Sequence, residues 1–329
     1  MKHGLLLLQL GTPESPSIQH VRRYLRLFLS DKRVIDLPTL VRHILVNLII
    51  IPFRSKRSTK AYQSIWTDRG SPLRVLSENL KNKLQTHVGK KYTVVLGMRY
   101  GEPNLQQALI DLAGCDRITV LPLYPQYASS TNGSSLEEVL HYFSKQTVMP
   151  SLHVIRDFYD HPAFIHAQAQ HIKPYLDTHD YCLFSYHGLP VRHLEKAGCK
   201  SVCLQDCPKP KDSNTACYRA QCQETTRQLA ETLELSNNKY NTAFQSRLGK
   251  TPWIKPYTDE ILEELANTGI KRLLVTCPSF VTDCLETLEE IGIRAKAQWL
   301  ALGGEELTLV PCLNDEEHWV KALTEISAL

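Results

Sequence analysis

Short apolar runs closed by glycine and proline recur along this chain, each followed by a stretch with helical spacing. The first is Leu5–Pro13 (LLLLQLGTP), and Cys182–Pro190 (CLFSYHGLP) repeats its plan. A continuous apolar run of this length, ended by turn formers, predicts a strand buried on both faces of a parallel sheet. Thr93–Gly101 (TVVLGMRYG) resembles Asn241–Gly249 (NTAFQSRLG). Both lead into segments with apolar residues three and four apart, Asn104–Leu112 and Thr258–Leu265. Arg117–Leu123 (RITVLPL) and Arg272–Pro278 (RLLVTCP) are strand-like again. Each precedes a polar turn and an acidic helical segment, Ser134–Tyr142 and Thr282–Ile291.

Strands alternating with helices imply parallel sheets with right-handed crossovers. The expected fold is α/β, with two similar Rossmann-like, doubly wound halves facing a central cleft. The first spans 1–170 and carries an apolar lip; the second spans 171–329 and carries a cysteine-rich insertion at about 193–222. Leu10 and His187 fill matching slots, one in each half. Ligands of open α/β sheets bind beyond the carboxyl ends of the strands, which is where both residues fall. No G-x-G-x-x-G follows the first strand, so a dinucleotide site of the usual kind is not expected.

Charge changes this picture little. The chain of 329 residues has 38 basic and 34 acidic side chains, a net +4 that is too balanced to indicate nucleic acid. Leu5–Leu8 is too short for a signal-peptide core. The apolar stretch Leu40–Phe53, broken by Arg42, His43 and Asn47, is shorter than a membrane span. The chain therefore reads as a cytoplasmic protein and a monomer, and its ten cysteines as thiols or metal ligands rather than disulfides.

Five stretches could carry chemistry. His187 ends a predicted strand just before the turn at Gly188 and Pro190. Asp283, Glu286 and Glu290 are spaced three and four apart, which places them on one face of a helix. A histidine and a carboxylate on opposite walls of a cleft could bind a metal ion or exchange protons. Tyr124–Ser135 (YPQYASSTNGSS), with Tyr127 and Ser134, is dense in hydroxyls; it is either a surface loop or an anion-binding loop at a helix start. Leu40–Phe53, followed by Arg54, Lys56, Arg57 and Lys60, is either a core helix or an apolar lip with a basic rim, suited to a membrane surface or a flat apolar ligand. Cys199, Cys203, Cys207, Cys217 and Cys222 crowd a segment rich in Lys, Pro, Asp, Ser and Asn that has no core of its own. Zinc or an iron–sulfur cluster would staple it, and the spacing does not choose between them.

Taken together these residues resemble the ferrochelatases, which insert ferrous iron into a porphyrin. The resemblance covers nearly the whole chain: LLLLQLGTP, RGSPL at 69–73, MRYGEP at 98–103, LYPQYASSTNGSS at 123–135, SYHGLP at 185–190, QSRLGKTPWIKP at 245–256 and CPSFVTDCLETLEEI at 277–291. It implies that Fe2+ is a substrate and that His187 and Glu286 are iron-site residues, with Asp283 and Glu290 continuing an acidic row. It places Leu10, Tyr62, Arg99, Tyr100 and Trp253 on the porphyrin, and segment 40–53 as a lip on the inner membrane surface. It also implies a [2Fe-2S] cluster on four of the five crowded cysteines, ahead of zinc. Leu10 favours protoporphyrin, because coproporphyrin-using relatives resemble one another in having tyrosine there. The alternatives are a coproporphyrin ferrochelatase, a cobalt or nickel tetrapyrrole chelatase, and a two-lobed solute-binding protein.

Overall fold

The computed structural model describes residues 2–199, 207–210, 215–249 and 251–328. Two parallel sheets carry the fold. The first holds β1 (His3–Gly11), β2 (Tyr92–Tyr100), β3 (Arg117–Pro122) and β4 (Ser151–Val154), in the order β2-β1-β3-β4. The second holds β5 (Tyr181–His187), β6 (Tyr240–Gln245), β7 (Arg272–Thr276) and β8 (Glu306–Leu309), in the order β6-β5-β7-β8. The two orders are the same, so the repeat read from the sequence is a repeat of topology.

The helices in chain order are α1 (Ile18–Leu29), α2 (Thr39–Ile44), α3 (Ile51–Ile65), α4 (Pro72–Val88), α5 (Leu105–Asp111) and α6 (Ser134–Phe143). They continue with α7 (Pro162–Ile172), α8 (Val191–Lys196), α9 (Tyr218–Thr232), α10 (Thr258–Asn267), α11 (Lys296–Ala301) and α12 (Glu317–Ile326). Local chemistry sets several ends. The Ser17 side chain accepts from the His20 N–H at the start of α1. Pro72 opens α4, where its missing N–H costs nothing, and Gly89 closes it with φ +71°.

Each sheet buries its own core. Leu6, Leu8, Val95, Ile118 and Val120 pack against Leu105, Leu109, Val139 and Phe143 of α5 and α6. In the second unit Leu183, Ala243, Leu273 and Val275 pack against Ile261, Leu265 and Trp299. Each such side chain removed from water contributes about 1.5–3 kcal/mol. The chain divides into residues 1–124, 128–157 and 327–329 as one unit, and 125–127 with 158–326 as the other. The change of unit thus falls near residue 157, not 170, because α7 packs on α9 and α12 of the second unit.

Backbone pairing revises one detail of the repeat. Leu5 pairs with Val94 and Thr119, and Cys182 with Tyr240 and Leu274. The Met98 N–H bonds the Pro103 carbonyl at 2.7 Å, and the Phe244 N–H bonds that of Pro256 at 2.8 Å. Met98 therefore corresponds to Phe244, two residues out of step with the match of TVVLGMRYG to NTAFQSRLG. A shift of two leaves every side chain on its own face, so the hydrophobic pattern is blind to it.

Gly11, at the carboxyl end of β1, has φ +113°, and a Cβ there would lie 1.7 Å from the Tyr100 carbonyl oxygen. Gly89 has φ +71° with open space around it. Gly11→Ala is expected to cost about 2–4 kcal/mol in urea unfolding and Gly89→Ala about 1 kcal/mol, because only the first adds a backbone collision to the conformational strain.

Candidate active site

His187 is the last residue of β5 and is half-buried. Its ring stands 6.5 Å from that of Trp253 and 6.3 Å from that of Phe280. Nδ1 lies 2.6 Å from the Gly188 carbonyl oxygen. A carbonyl can only accept, so Nδ1 carries a proton, and in the neutral tautomer this bond selects, Nε2 holds the lone pair. The main chain around it is fixed on both sides. The His187 N–H donates to Ser279 Oγ (3.1 Å), and the Tyr218 hydroxyl donates to the His187 carbonyl (2.8 Å). Gly188 is required here, since a Cβ would lie 2.8 Å from the Gln245 carbonyl oxygen and 3.3 Å from the Trp253 ring.

Gln245 joins the histidine to the acidic row. It pairs with His187 across β5 and β6, its carbonyl accepts from the Gly188 N–H (2.8 Å), and its Nε2 donates to the Glu286 carbonyl (2.7 Å). His187 and Glu286 are thus parts of one framework within the second unit. The segment Glu286–Ala295 is π-helical, not the α-helix that the spacing predicts. Its wider turn still leaves Glu286 and Glu290 on neighbouring positions of one face.

The three acidic residues differ in what holds them. Asp283 is buried: it accepts from Thr287 Oγ1 (3.1 Å), the Cys312 N–H (3.2 Å) and Asn314 Nδ2 (2.8 Å). Glu290 accepts from the Ser246 N–H (2.8 Å) and Oγ (2.6 Å), with Arg294 at 3.8 Å. Glu286 is half-buried and, among the described residues, pairs with no lysine or arginine. Its neighbour is the Cys284 thiol, which burial, and then this carboxylate, push well above its usual pKa.

The residues assigned to the porphyrin from the first unit form a second, separate set. Leu10 is half-buried at the end of β1. Tyr62 is buried, edge-on to Tyr24 and Trp66. Arg99, Tyr100 and Ser134 converge on a residue that the sequence pattern did not single out. The Asp31 Oδ2 accepts from Arg99 Nη2 (3.0 Å), Tyr100 Oη (2.7 Å) and Ser134 Oγ (2.5 Å). Asp31 sits in a polar turn (SDKR), where an aspartate reads as an ordinary turn residue. The Tyr124–Ser135 stretch is not a plain surface loop either. Ser130, Asn132, Ser134 and Ser135 are buried, and Asn132 bonds the Tyr124 and Arg156 carbonyls and the Ala128 N–H. Tyr127 belongs to the second unit, where its N–H donates to Gln221 Oε1 (2.6 Å). Trp253 is half-buried and donates from Nε1 to the Leu248 carbonyl.

Of the crowded cysteines, Cys203 lies outside the described residues. Cys207, Cys217 and Cys222 are buried and Cys199 half-buried. Cys207 and Cys217 share a hydrogen bond that pushes the Cys207 thiol up and draws the Cys217 thiol down. Cys217 precedes α9 and also accepts from the Ala220 and Arg219 N–H groups. Arg219, 2% exposed, places Nη1 2.9 Å from Cys207 Sγ. Among the described residues no three His, Cys, Asp or Glu side chains are grouped closely enough to hold a metal ion.

The run 40–53 is not a core helix. Leu40, Val41, Ile44, Leu48, Ile49 and Phe53 are exposed, Phe53 by 82%. They lie on α2, a π-helical turn at Leu45–Ile50 and the start of α3. Among the described residues no helix is long and apolar enough to cross a membrane.

Two like parallel-sheet units, with an imidazole and a half-buried carboxylate on one framework, are an arrangement suited to metal chelation. The family model described as Ferrochelatase matches residues 2–328. A protein named Ferrochelatase from Legionella pneumophila (strain Lens) is 56% identical over 326 residues, 99% of this chain and 98% of that protein. Another of that name from Coxiella burnetii (strain CbuK_Q154) is 51% identical over 333 residues, 99% of this chain and 93% of that protein. The solved structure of SirB from Bacillus subtilis with Fe3+ has a TM-score of 0.53 at 12% identity, covering 100% of this chain and 96% of that one, which is a likeness of fold. The chain belongs to the ferrochelatase family, and it is an enzyme of the lyase class.

Burial opposes the charge of Asp31, but the Ser134 and Tyr100 hydroxyls, the Arg33 N–H and Arg99 outweigh it and hold the carboxyl below its usual pKa. The folded protein thus binds this proton more weakly than the unfolded chain. The stability it supplies is complete above about pH 4 and is lost as pH falls through the lower folded value. Asp31→Asn is expected to cost about 2–4 kcal/mol at pH 7, through the donors it strands, and to flatten the acid limb of a Tm-against-pH profile.

Proposed function

We propose that this chain inserts Fe2+ into protoporphyrin IX, forming protohaem and releasing two protons. The observation that carries this reading is the Nδ1–Gly188 bond, which leaves Nε2 of His187 as a neutral base and ligand beyond the end of a sheet strand. A pyrrole N–H needs such a base, and an imidazole nitrogen lone pair suits it. His187 takes the pyrrole protons one at a time, its Nε2 passing the first on to solvent before accepting the second. Glu286, the least committed member of the acidic row, meets iron or carries protons away. Asp283 and Glu290 act through position: their oxygens are already engaged and fix the ends of the segment that carries Glu286.

Apolar and aromatic walls stabilise the bent macrocycle, which is differential binding toward the transition state. In this reading Leu10 and Tyr62 of the first unit and Tyr127 and Trp253 of the second contribute to that surface. Arg99, Tyr100 and Ser134 shape their wall through Asp31, since their polar atoms are engaged there. The apolar slot at Leu10 favours protoporphyrin over coproporphyrin. The exposed run at 40–53, with its basic rim, suits peripheral contact with the inner surface of a membrane from the cytoplasmic side.

Four of the cysteines 199, 203, 207, 217 and 222 hold a [2Fe-2S] cluster in this reading. The described cysteines are not grouped closely enough to hold it, but a buried guanidinium on Cys207 and helix-start N–H groups on Cys217 are donors toward anionic sulfur. A cluster would supply the staple that the segment otherwise lacks. Purified protein is expected to be red-brown, with iron and acid-labile sulfide, and Cys217→Ser to lose the colour. A colourless protein containing stoichiometric zinc would assign the site to zinc.

Iron insertion by His187→Ala is expected to fall at least about 100-fold, while porphyrin affinity, followed by fluorescence quenching, changes only a few-fold. Near-normal turnover would remove His187 from the chemistry. Parallel assays with iron, cobalt and nickel against proto- and coproporphyrin are expected to show iron with protoporphyrin as the fastest pair.

A further inference from the structure

β5 outruns its neighbour. β7 stops at Thr276, which pairs with Phe184, so the last turn of the strand has no β7 partner. Side chains take over its main-chain groups. Ser279 Oγ accepts from the His187 N–H, and the Tyr218 hydroxyl donates to the His187 carbonyl. The two hydroxyls also bond each other, and Tyr218 touches Cys222 on the next turn of α9. The peptide between His187 and Gly188 is therefore held at its carbonyl by Tyr218 and at its N–H by the Gln245 carbonyl (2.8 Å). Fixing that peptide fixes the orientation of Gly188, whose own carbonyl is the acceptor for Nδ1.

We propose that Tyr218 is a positioning residue for metal insertion: its hydroxyl holds the His187–Gly188 peptide, and so keeps the imidazole in the tautomer and orientation that present Nε2 to the porphyrin. This rests on the reading of His187 as the base. Tyr218 is 7% exposed and sits on the first turn of α9, between Cys217 and Arg219. The bond it makes is therefore also the route by which the cysteine-rich segment bears on the imidazole. Second-shell bonds to a histidine are the usual means of setting which ring nitrogen is protonated. Here the control is one step further back, on the His187–Gly188 peptide that orients the carbonyl the ring needs.

Tyr218→Phe removes the hydroxyl and keeps the ring. Its kcat for iron insertion is expected to fall about three- to tenfold, the size of one net hydrogen bond, with KM for porphyrin within twofold. The midpoint of the pH–rate profile should move, and 15N spectra of the His187 ring should show the two tautomers mixed. Ser279→Ala, which leaves the packed aromatic ring alone, should shift rate and spectrum in the same direction and keeps the test alive if Tyr218→Phe folds poorly. In a double variant, Tyr218→Phe should add nothing to His187→Ala. Unchanged kcat and 15N spectra in these variants, or losses that multiply in the double variant, would overturn the proposal. Near-normal activity of His187→Ala would instead strike the underlying reading, and with it this one, whatever Tyr218→Phe does.

Discussion

One hydrogen bond decides what the imidazole of His187 can do. With Nδ1 bound to the Gly188 carbonyl, the ring has a single open nitrogen, and that nitrogen is an acceptor. A ring free to flip would offer either nitrogen in either protonation state, and a base for two pyrrole protons needs one defined lone pair. The bond is short-range in sequence but not in cause. It requires a Gly188 peptide that can approach Gln245 without a Cβ between them, and a strand end gripped by Ser279 and Tyr218 from two other elements. The catalytic reading depends on this local rigidity more than on any feature of the sheet.

The two units show what a repeated topology leaves open. Both sheets have the same strand order, and in both a glycine follows the equivalent residue at the end of a central strand, Leu10 in one and His187 in the other. In the first unit the polar groups beyond this end are paired among themselves, Thr12 with Ser71 and the Asp31 carboxylate with three donors. In the second they are arranged so that a nitrogen lone pair is left over. One scaffold therefore carries different chemistry in its two copies, with the difference lying in a few side chains beyond the strand ends.

Much of this was legible in the chain. Continuous apolar strands, their spacing and their repetition specify two parallel α/β units, because burial on both faces leaves little choice of partner. The histidine was legible as a polar residue ending an apolar run. What escaped the pattern did so for physical reasons. The two-residue offset of β6 preserves every face and leaves no hydrophobic trace. The π-helix at Glu286–Ala295 has the same residue types as an α-helix, and only its hydrogen bonds distinguish it. Asp31 meets Arg99 and Ser134 from 68 and 103 residues away, a meeting that no local signal announces. Tyr218 and Ser279 looked like ordinary strand-end and helix-start residues, since their value lies in the carbonyl and N–H groups they reach.

The cysteine-rich segment gains a second meaning from where it ends. It runs straight into α9, and α9 delivers Tyr218 to the strand end. Gln223 accepts from the Cys207 N–H and Arg219 donates to the Cys207 sulfur, so the segment is tied to the first two turns of the helix that follows it. The positions of Cys207 and Cys217 are in this way coupled to the His187 carbonyl through one helix turn and the Tyr218 hydroxyl.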